Sequence, residues 1–252
     1  GVHLGPEAGT FEHDRRARHL GGGNLDVTVG GQAGTLDVIG NTADQYRTQW
    51  DDSARTQALQ LAVGSTGRVG RDGSLTLGGG GDLNLSAIGD INNISSTISG
   101  KTVALESLDG SINNLTQVEQ IDINAGGKYG NIGLKDTLLG NAASITAQDG
   151  LSLEAGKNIT VTGANLASGG DMLLNAWGDI AVNANQINDA FSSSREKTSR
   201  SSVTYQGSNV TAGGNLLVNA GHNLDVTASD LKAGGSAGLS AGNDLKDRKS
   251  VV

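Results

Sequence analysis

The chain repeats itself every 21 residues. Met172, Leu174, Ile180, Val182 and Ile187 fall 21 places after Leu151, Leu153, Ile159, Val161 and Leu166. The same five-point pattern returns at Leu216, Val218, Leu224, Val226 and Leu231, and starts again at Ala237, Leu239 and Leu245. Each beat is two apolar residues flanking a polar one, so an extended strand places both apolar side chains on one face. A unit this short cannot enclose a core of its own. Copies must stack, and stacked copies make a rod.

Composition narrows the kind of rod. Glycine is 40 of 252 residues and proline occurs once, at Pro6. Abundant glycine without proline fits tight turns between short strands and excludes collagen. Aromatics are 3%, so the core must be aliphatic and layered. The formal charge is −8, and the basic residues form only short clusters at 15–18 and 195–200. Nucleic-acid binding needs a basic stripe that displaces counterions, so no such partner is expected. The chain has no cysteine. No apolar run approaches the ~20 residues of a membrane span, and the first residues lack the apolar stretch of a signal peptide. In a secreted parent this chain would be an internal piece.

Three segments are expected: an irregular lead-in over 1–20, the repeats over 21–246, and a tail over 247–252. Short alternating beats such as Leu25-Asp-Val27, Leu36-Asp-Val38 and Leu83-Asn-Leu85 are separated by glycine-rich turns, and no stretch shows helical spacing. Leu83, Leu85 and Ile98 recur 20 places on as Val103, Leu105 and Val118, after which the register loosens as far as Ile145, with about six extra residues near 135–142. Two insertions interrupt the pattern, near 41–58 with Tyr46 and Trp50, and near 188–207 with Phe191, Arg195, Lys197, Arg200 and Tyr205. Irregular segments on a rigid scaffold are where binding concentrates, so these seven residues are the candidate interaction loops.

Within one unit, two three-residue strands meet at a tight corner and a third beat follows. Three short faces per turn make a triangular coil, so the expected architecture is an all-β parallel β-helix, a solenoid of roughly ten coils. The corner chemistry agrees. Ala155-Gly-Lys-Asn-Ile159, Ala220-Gly-His-Asn-Leu224 and Ala241-Gly-Asn-Asp-Leu245 share one form, in which a small residue turns inward and Gly, Asn or Asp supports the turn. In Ala176-Trp-Gly-Asp-Ile180 the glycine is shifted by one place, which should turn Trp177 outward.

The stretches Gly150-Leu-Ser-Leu-Glu-Ala-Gly-Lys-Asn-Ile-Thr-Val-Thr-Gly-Ala-Asn-Leu166 and Ala212-Gly-Gly-Asn-Leu-Leu-Val-Asn-Ala-Gly-His-Asn-Leu-Asp-Val-Thr-Ala-Ser-Asp-Leu231 resemble the haemagglutinin repeats of filamentous-haemagglutinin-like exoproteins. Ser201-Ser-Val-Thr-Tyr-Gln-Gly-Ser-Asn-Val-Thr-Ala212, after a charged serine-rich stretch, resembles the second type of that repeat. The resemblance covers roughly 21–246. It implies a right-handed β-helix in a very large protein, exported from a Gram-negative bacterium through an outer-membrane two-partner-secretion transporter and displayed at the cell surface. Some such proteins are adhesins that meet a receptor on a host or neighbouring bacterium. Others are contact-dependent growth inhibition effectors, whose second repeat region is associated with delivering a C-terminal toxin across the target's outer membrane.

Parallel β-helices also include polysaccharide-degrading enzymes, which cluster carboxylates on neighbouring coils. Here Asp26, Asp37, Asp122 and Asp225 occupy mid-strand polar positions, and Asp82, Asp90, Asp171 and Asp179 occupy corners. Strand alternation and turn chemistry account for both sets. Gly22-Gly-Asn-Leu-Asp-Val27 is a fragment of a calcium-binding β-roll motif but does not recur at nine residues. His3, His13, His19 and His222 are too dispersed to ligate a metal. Neither an enzyme nor a cofactor or metal site is expected.

Overall fold

The computed structural model describes residues 82–127 and 130–249 in full, and the backbone of five short strands before them, at Leu25–Val29, Leu36–Ile39, Gln60–Ala62, Arg68–Val69 and Leu75–Thr76. All described regular structure is β, and the long-range pairing is mainly parallel. A seven-stranded parallel sheet runs through Leu36–Ile39, Ile91–Ile94, Ile112–Leu115, Ile159–Thr162, Ile180–Asn183, Leu224–Thr227 and Leu245–Arg248. An eleven-stranded sheet covers the other two sides. Thr97–Ser107 and Ser144–Ala155 run unbroken round the edge between those sides, which joins them into one wrapped sheet. The arrangement is that of a β-helix.

The apolar beats align through the stack. Leu85, Leu105, Leu153, Leu174 and Val218 pair in one ladder, and Leu83, Val103, Leu151, Met172 and Leu216 in the next. All ten are 3% exposed or less. Ile91, Ile112, Ile159, Ile180 and Leu224 form the ladder of the second side, and Ile98, Ile145, Leu166 and Val210 that of the third. Each buried aliphatic stabilises by about 2 kcal/mol, but only when a rung lies above and below it. Leu239 and Leu245 hold ladder positions opposite Val218 and Leu224 and are exposed, because no described rung covers them.

Polar ladders stitch the corners. The Asp90 carboxylate accepts the Ser111 N–H at 2.7 Å, the Asn158 amide oxygen accepts the Asp179 N–H at 2.8 Å, and Asp179 accepts the Asn223 N–H at 3.0 Å. On another corner Asp171 accepts the Asn215 N–H at 2.7 Å. Asp90, Asp171 and Asp179 are thus bound to the backbone of the following rung, and Asp82 accepts from the Thr102 hydroxyl at 2.6 Å. Asp26 and Asp37, which sequence proximity could have brought together, lie on strands of different sheets. Trp177 does turn outward and is 79% exposed.

The rungs are not evenly spaced along the chain. On the second side the partner steps are 55 residues from Leu36 to Ile91, 21 to Ile112, 47 to Ile159, 21 to Ile180, 44 to Leu224 and 21 to Leu245. Short and long steps alternate. The 47- and 44-residue steps arise where residues are inserted between the second and third sides. Plain coils turn this corner on one residue of positive φ, at Ser95 (47°), Gly163 (57°) and Ala228 (49°). The intervening corners carry hairpins instead.

Two expectations are corrected here. Val118 is not the partner of Ile98, which pairs with Ile145, and Ile187 is not the partner of Leu166, which pairs with Val210. Both residues belong to strands that leave the rod, and the looseness before Ile145 is an inserted hairpin rather than about six extra residues.

Candidate interaction platform

The inserted residues form four strands: β1 (Val118–Gly127), β2 (Gly130–Leu139), β3 (Asn185–Ser193) and β4 (Thr198–Gln206). They pair antiparallel in the order β1-β2-β3-β4. β1 and β2 are one hairpin, β3 and β4 the other, and β2 joins β3 with Ile132 opposite Ser193 and Leu134 opposite Phe191. Both hairpins leave the same corner, from Ile112–Leu115 and from Ile180–Asn183, with one plain coil between them. Two rungs span roughly 10 Å, close enough for the hairpins to share one sheet above the plain coil.

Buried polar groups set the base of this platform. The Thr116 hydroxyl donates to Gly163 O at 2.5 Å and accepts from Ala143 N at 2.9 Å, and Asn185 Nδ2 donates to Thr116 O at 2.9 Å. The Ser208 hydroxyl donates to Asn183 O at 2.6 Å and accepts from Ala164 N at 3.1 Å. Thr116, Asn185 and Ser208 are all buried. A side chain at Gly163 would collide with the Asn185 amide, so the plain coil must turn without one. The seam is fastened further out, where Asn188 N donates to the Thr137 hydroxyl at 3.0 Å and Asn131 N donates to the Ser194 hydroxyl at 2.7 Å.

Strand alternation sorts the side chains above this base. Ile123, Leu134, Phe191 and Arg200 lie directly opposite one another across all four strands, and therefore on one face. The Arg200 guanidinium carbon sits 5.6 Å from the Phe191 ring centroid, within cation–π range. A shallow cleft of about 260 Å³ opens beside them, lined also by Asp136, Asp189 and Ser202. Ile123 is 49% exposed and Phe191 half-buried, so this apolar row is accessible from solvent. On the opposite face, Lys135 pairs with Asp122 at 3.2 Å, and Val203 and Tyr205 are exposed. The first face therefore presents an aliphatic and aromatic strip, one cation held over a ring, and two carboxylates.

Of the sequence candidates, the structure brings Phe191 and Arg200 together. Tyr205 is on the same hairpin but the other face, opposite Gln186. Arg195 and Lys197 occupy the turn between β3 and β4, Lys197 with φ of 52°. Tyr46 and Trp50 lie outside the described residues. Sequence reasoning missed Ile123, Leu134 and Asp136, because the first hairpin alternates as rod strands do, and it passed over Asp189 inside the second insertion. Among the described residues no group of three or more His, Asp or Glu is placed to hold a metal ion, and no helix is long and apolar enough to cross a membrane.

Fold and platform together define a stacked-repeat rod that carries a lateral sheet. Residues 189–248, from β3 to the last described rung, match the Hemagglutinin repeat family. The chain is 51% identical over 189 residues to the tRNA nuclease CdiA of Escherichia coli O6:K15:H31, covering 73% of this chain and 6% of that protein. It is 46% identical over 144 residues to the 16S rRNA endonuclease CdiA of Enterobacter cloacae, covering 56% of this chain and 4% of that protein. With the tRNA nuclease CdiA of Yersinia mollaretii it shares 36% over 147 residues, 56% of this chain and 5% of that protein. The chain therefore spans about a twentieth of the length of these relatives. No solved structure matches it. Residues 189–248 are thus a stretch of haemagglutinin repeat, and most of the chain is similar to a small part of proteins named CdiA.

Proposed function

We propose that this segment is a structural filament stretch of a large secreted surface exoprotein, and that its platform makes attachment contacts with a host or neighbouring cell. The observation that carries the reading is the exposed row Ile123, Leu134, Phe191 and Arg200 on a sheet tied to a rigid rod. A rod spaces a contact surface away from its cell, and the platform supplies that surface without contributing to the ladders. Phe191, Arg195, Lys197, Arg200 and Tyr205 remain the proposed contact residues, with Tyr46 and Trp50 on the earlier insertion.

The finer architecture belongs to the same proposal. Residues 21–246 form one right-handed solenoid after a lead-in over 1–20 and before a tail over 247–252. Handedness follows from the strong general preference for right-handed crossovers between parallel strands. The coil count is better taken from the seven paired rungs, in alternating steps, than from an even run of roughly ten coils of about 21 residues. Export through an outer-membrane two-partner-secretion transporter suits a chain with no cysteine, whose rungs can add one at a time to a growing end. No catalytic role is assigned to this segment; the nuclease names belong to proteins of which it matches a small part.

Those names favour one second reading, that the segment takes part in delivering a C-terminal toxin across the outer membrane of a target cell. The test measures binding of the labelled segment to intact cells by flow cytometry. The double variant Phe191→Ser, Arg200→Glu should abolish binding while its circular dichroism stays that of the parent. Undiminished binding by this variant overturns the platform as contact site. If the same variant in the whole exoprotein still attaches but no longer inhibits its target, the delivery reading gains.

A further inference from the structure

We propose that the free edge of β4 is a self-association surface, on which two copies of this chain pair β4 with β4 antiparallel and merge their platforms into one sheet. An edge strand presents a row of unpaired N–H and C=O groups, and natural proteins blunt such edges with charge, proline or a bulge. β1, the other edge of the platform, is blunted: it carries Glu119 and Asp122 and ends in Gly126 and Gly127. β4 is not. Over nine residues, Thr-Ser-Arg-Ser-Ser-Val-Thr-Tyr-Gln, it holds one charge, no proline and no glycine. Its register with β3 runs unbroken from Thr198 to Gln206, and 198–205 are exposed. Among the described strands it pairs with β3 alone.

The strand is also complementary to itself. Full antiparallel overlap sets Ser202 opposite the partner's Ser202, Arg200 opposite the partner's Thr204, and Ser199 opposite the partner's Tyr205. Small hydroxyl side chains then face larger ones. The two Arg200 side chains stand about 13 Å apart along the strands, beyond the screening length of about 8 Å at physiological salt. Antiparallel pairing places the two rods at opposite ends of the strands, roughly 30 Å apart, so the rods do not collide. The contact closes on itself as a twofold dimer. The β2–β3 seam inside each copy is a junction of the same kind, one hairpin adding to the edge of another, and the dimer continues that sheet. The buried area of a single strand pair is small, so the dimer is weak.

Sedimentation velocity across a concentration series tests this with the chain as it stands. The wild type should show a concentration-dependent monomer–dimer equilibrium, and hydrogen exchange at 198–206 should slow as the dimer fills. Ser202→Lys and Ser202→Glu each place like charges directly opposite one another at the centre, which should weaken the dimer about fivefold or more. An equal mixture of the two should restore it to at least wild-type strength. Ser202 is exposed, and an unchanged circular dichroism spectrum checks that each variant folds. A wild type that stays monomeric to several hundred micromolar overturns the proposal. So do single variants that dimerise as the wild type does, a mixture without rescue, protection falling on β1, or protection of β4 that is independent of concentration.

Discussion

The rod and the platform are built from the same material, short strands that alternate apolar with polar, yet they use it in opposite ways. In the rod each apolar residue is covered by a like residue on the next rung: Leu153, Leu174 and Val218 are wholly buried. In the platform the apolar row meets no second layer among the described residues, and Ile123, Ile132 and Leu134 remain exposed. The ladders hold the rod together; the platform is held by its base and its seam. Burial in the ladders should therefore govern folding, and the platform should be changeable without loss of the rod.

The sharpest break between the two comes from a charge in a ladder. Leu174→Asp puts a carboxylate between Leu153 and Val218 with no partner, and should cost more than about 4 kcal/mol, seen as loss of the cooperative thermal transition. Leu174→Ala should cost about 3 kcal/mol in urea unfolding. A mild response to both would mean that the ladder does not carry the stability. At the junction of rod and platform, Gly163→Ala forces a side chain into positive φ and against Asn185, and should cost about 2 kcal/mol. Ala228→Gly, at the equivalent corner two coils on, should do the reverse and stabilise by up to about 1 kcal/mol, since glycine accepts that φ without strain. Equal signs at the two corners would contradict their equivalence. Within the platform, Arg200→Ala should leave the melting temperature within about 2 °C of the parent, because an exposed cation–π contact is worth about 0.5–1 kcal/mol. Replacing 185–206 by a short Gly/Ser turn tests the division as a whole: the β circular dichroism signal should persist, and loss of folding would place the hairpin in the core.

The ladders from Leu151 onward were legible because their spacing is regular and their strands are short. The corners were legible because Ala, Gly, Asn and Asp recur at fixed offsets, and Asp90, Asp171 and Asp179 bind backbone there as turn chemistry implies. The first hairpin was not legible. Ile121 and Ile123, then Ile132 and Leu134, alternate with polar residues just as rod strands do, and Val118 falls six places after Ile112, where a third beat belongs. Ile187 is disguised in the same way, seven places after Ile180. Period-2 patterning states that a strand has two faces; it does not state whether its neighbour is the next rung or the other arm of a hairpin. The joining of the two hairpins was hidden for the same reason, since Leu134 and Phe191 are 57 positions apart and meet only because one plain coil separates their corners.

That junction is the claim on which both the alternating coils and the shared platform rest, and a cross-link tests it directly. The chain has no cysteine of its own. In the double variant Lys135→Cys, Ala190→Cys the two thiols face each other across the β2–β3 seam. Mild oxidation of the folded protein should form an intramolecular disulfide in most molecules, whereas Lys135→Cys, Thr204→Cys, placed on strands that do not touch, should form none. Absence of the first cross-link, or equal yield from both pairs, would contradict the account.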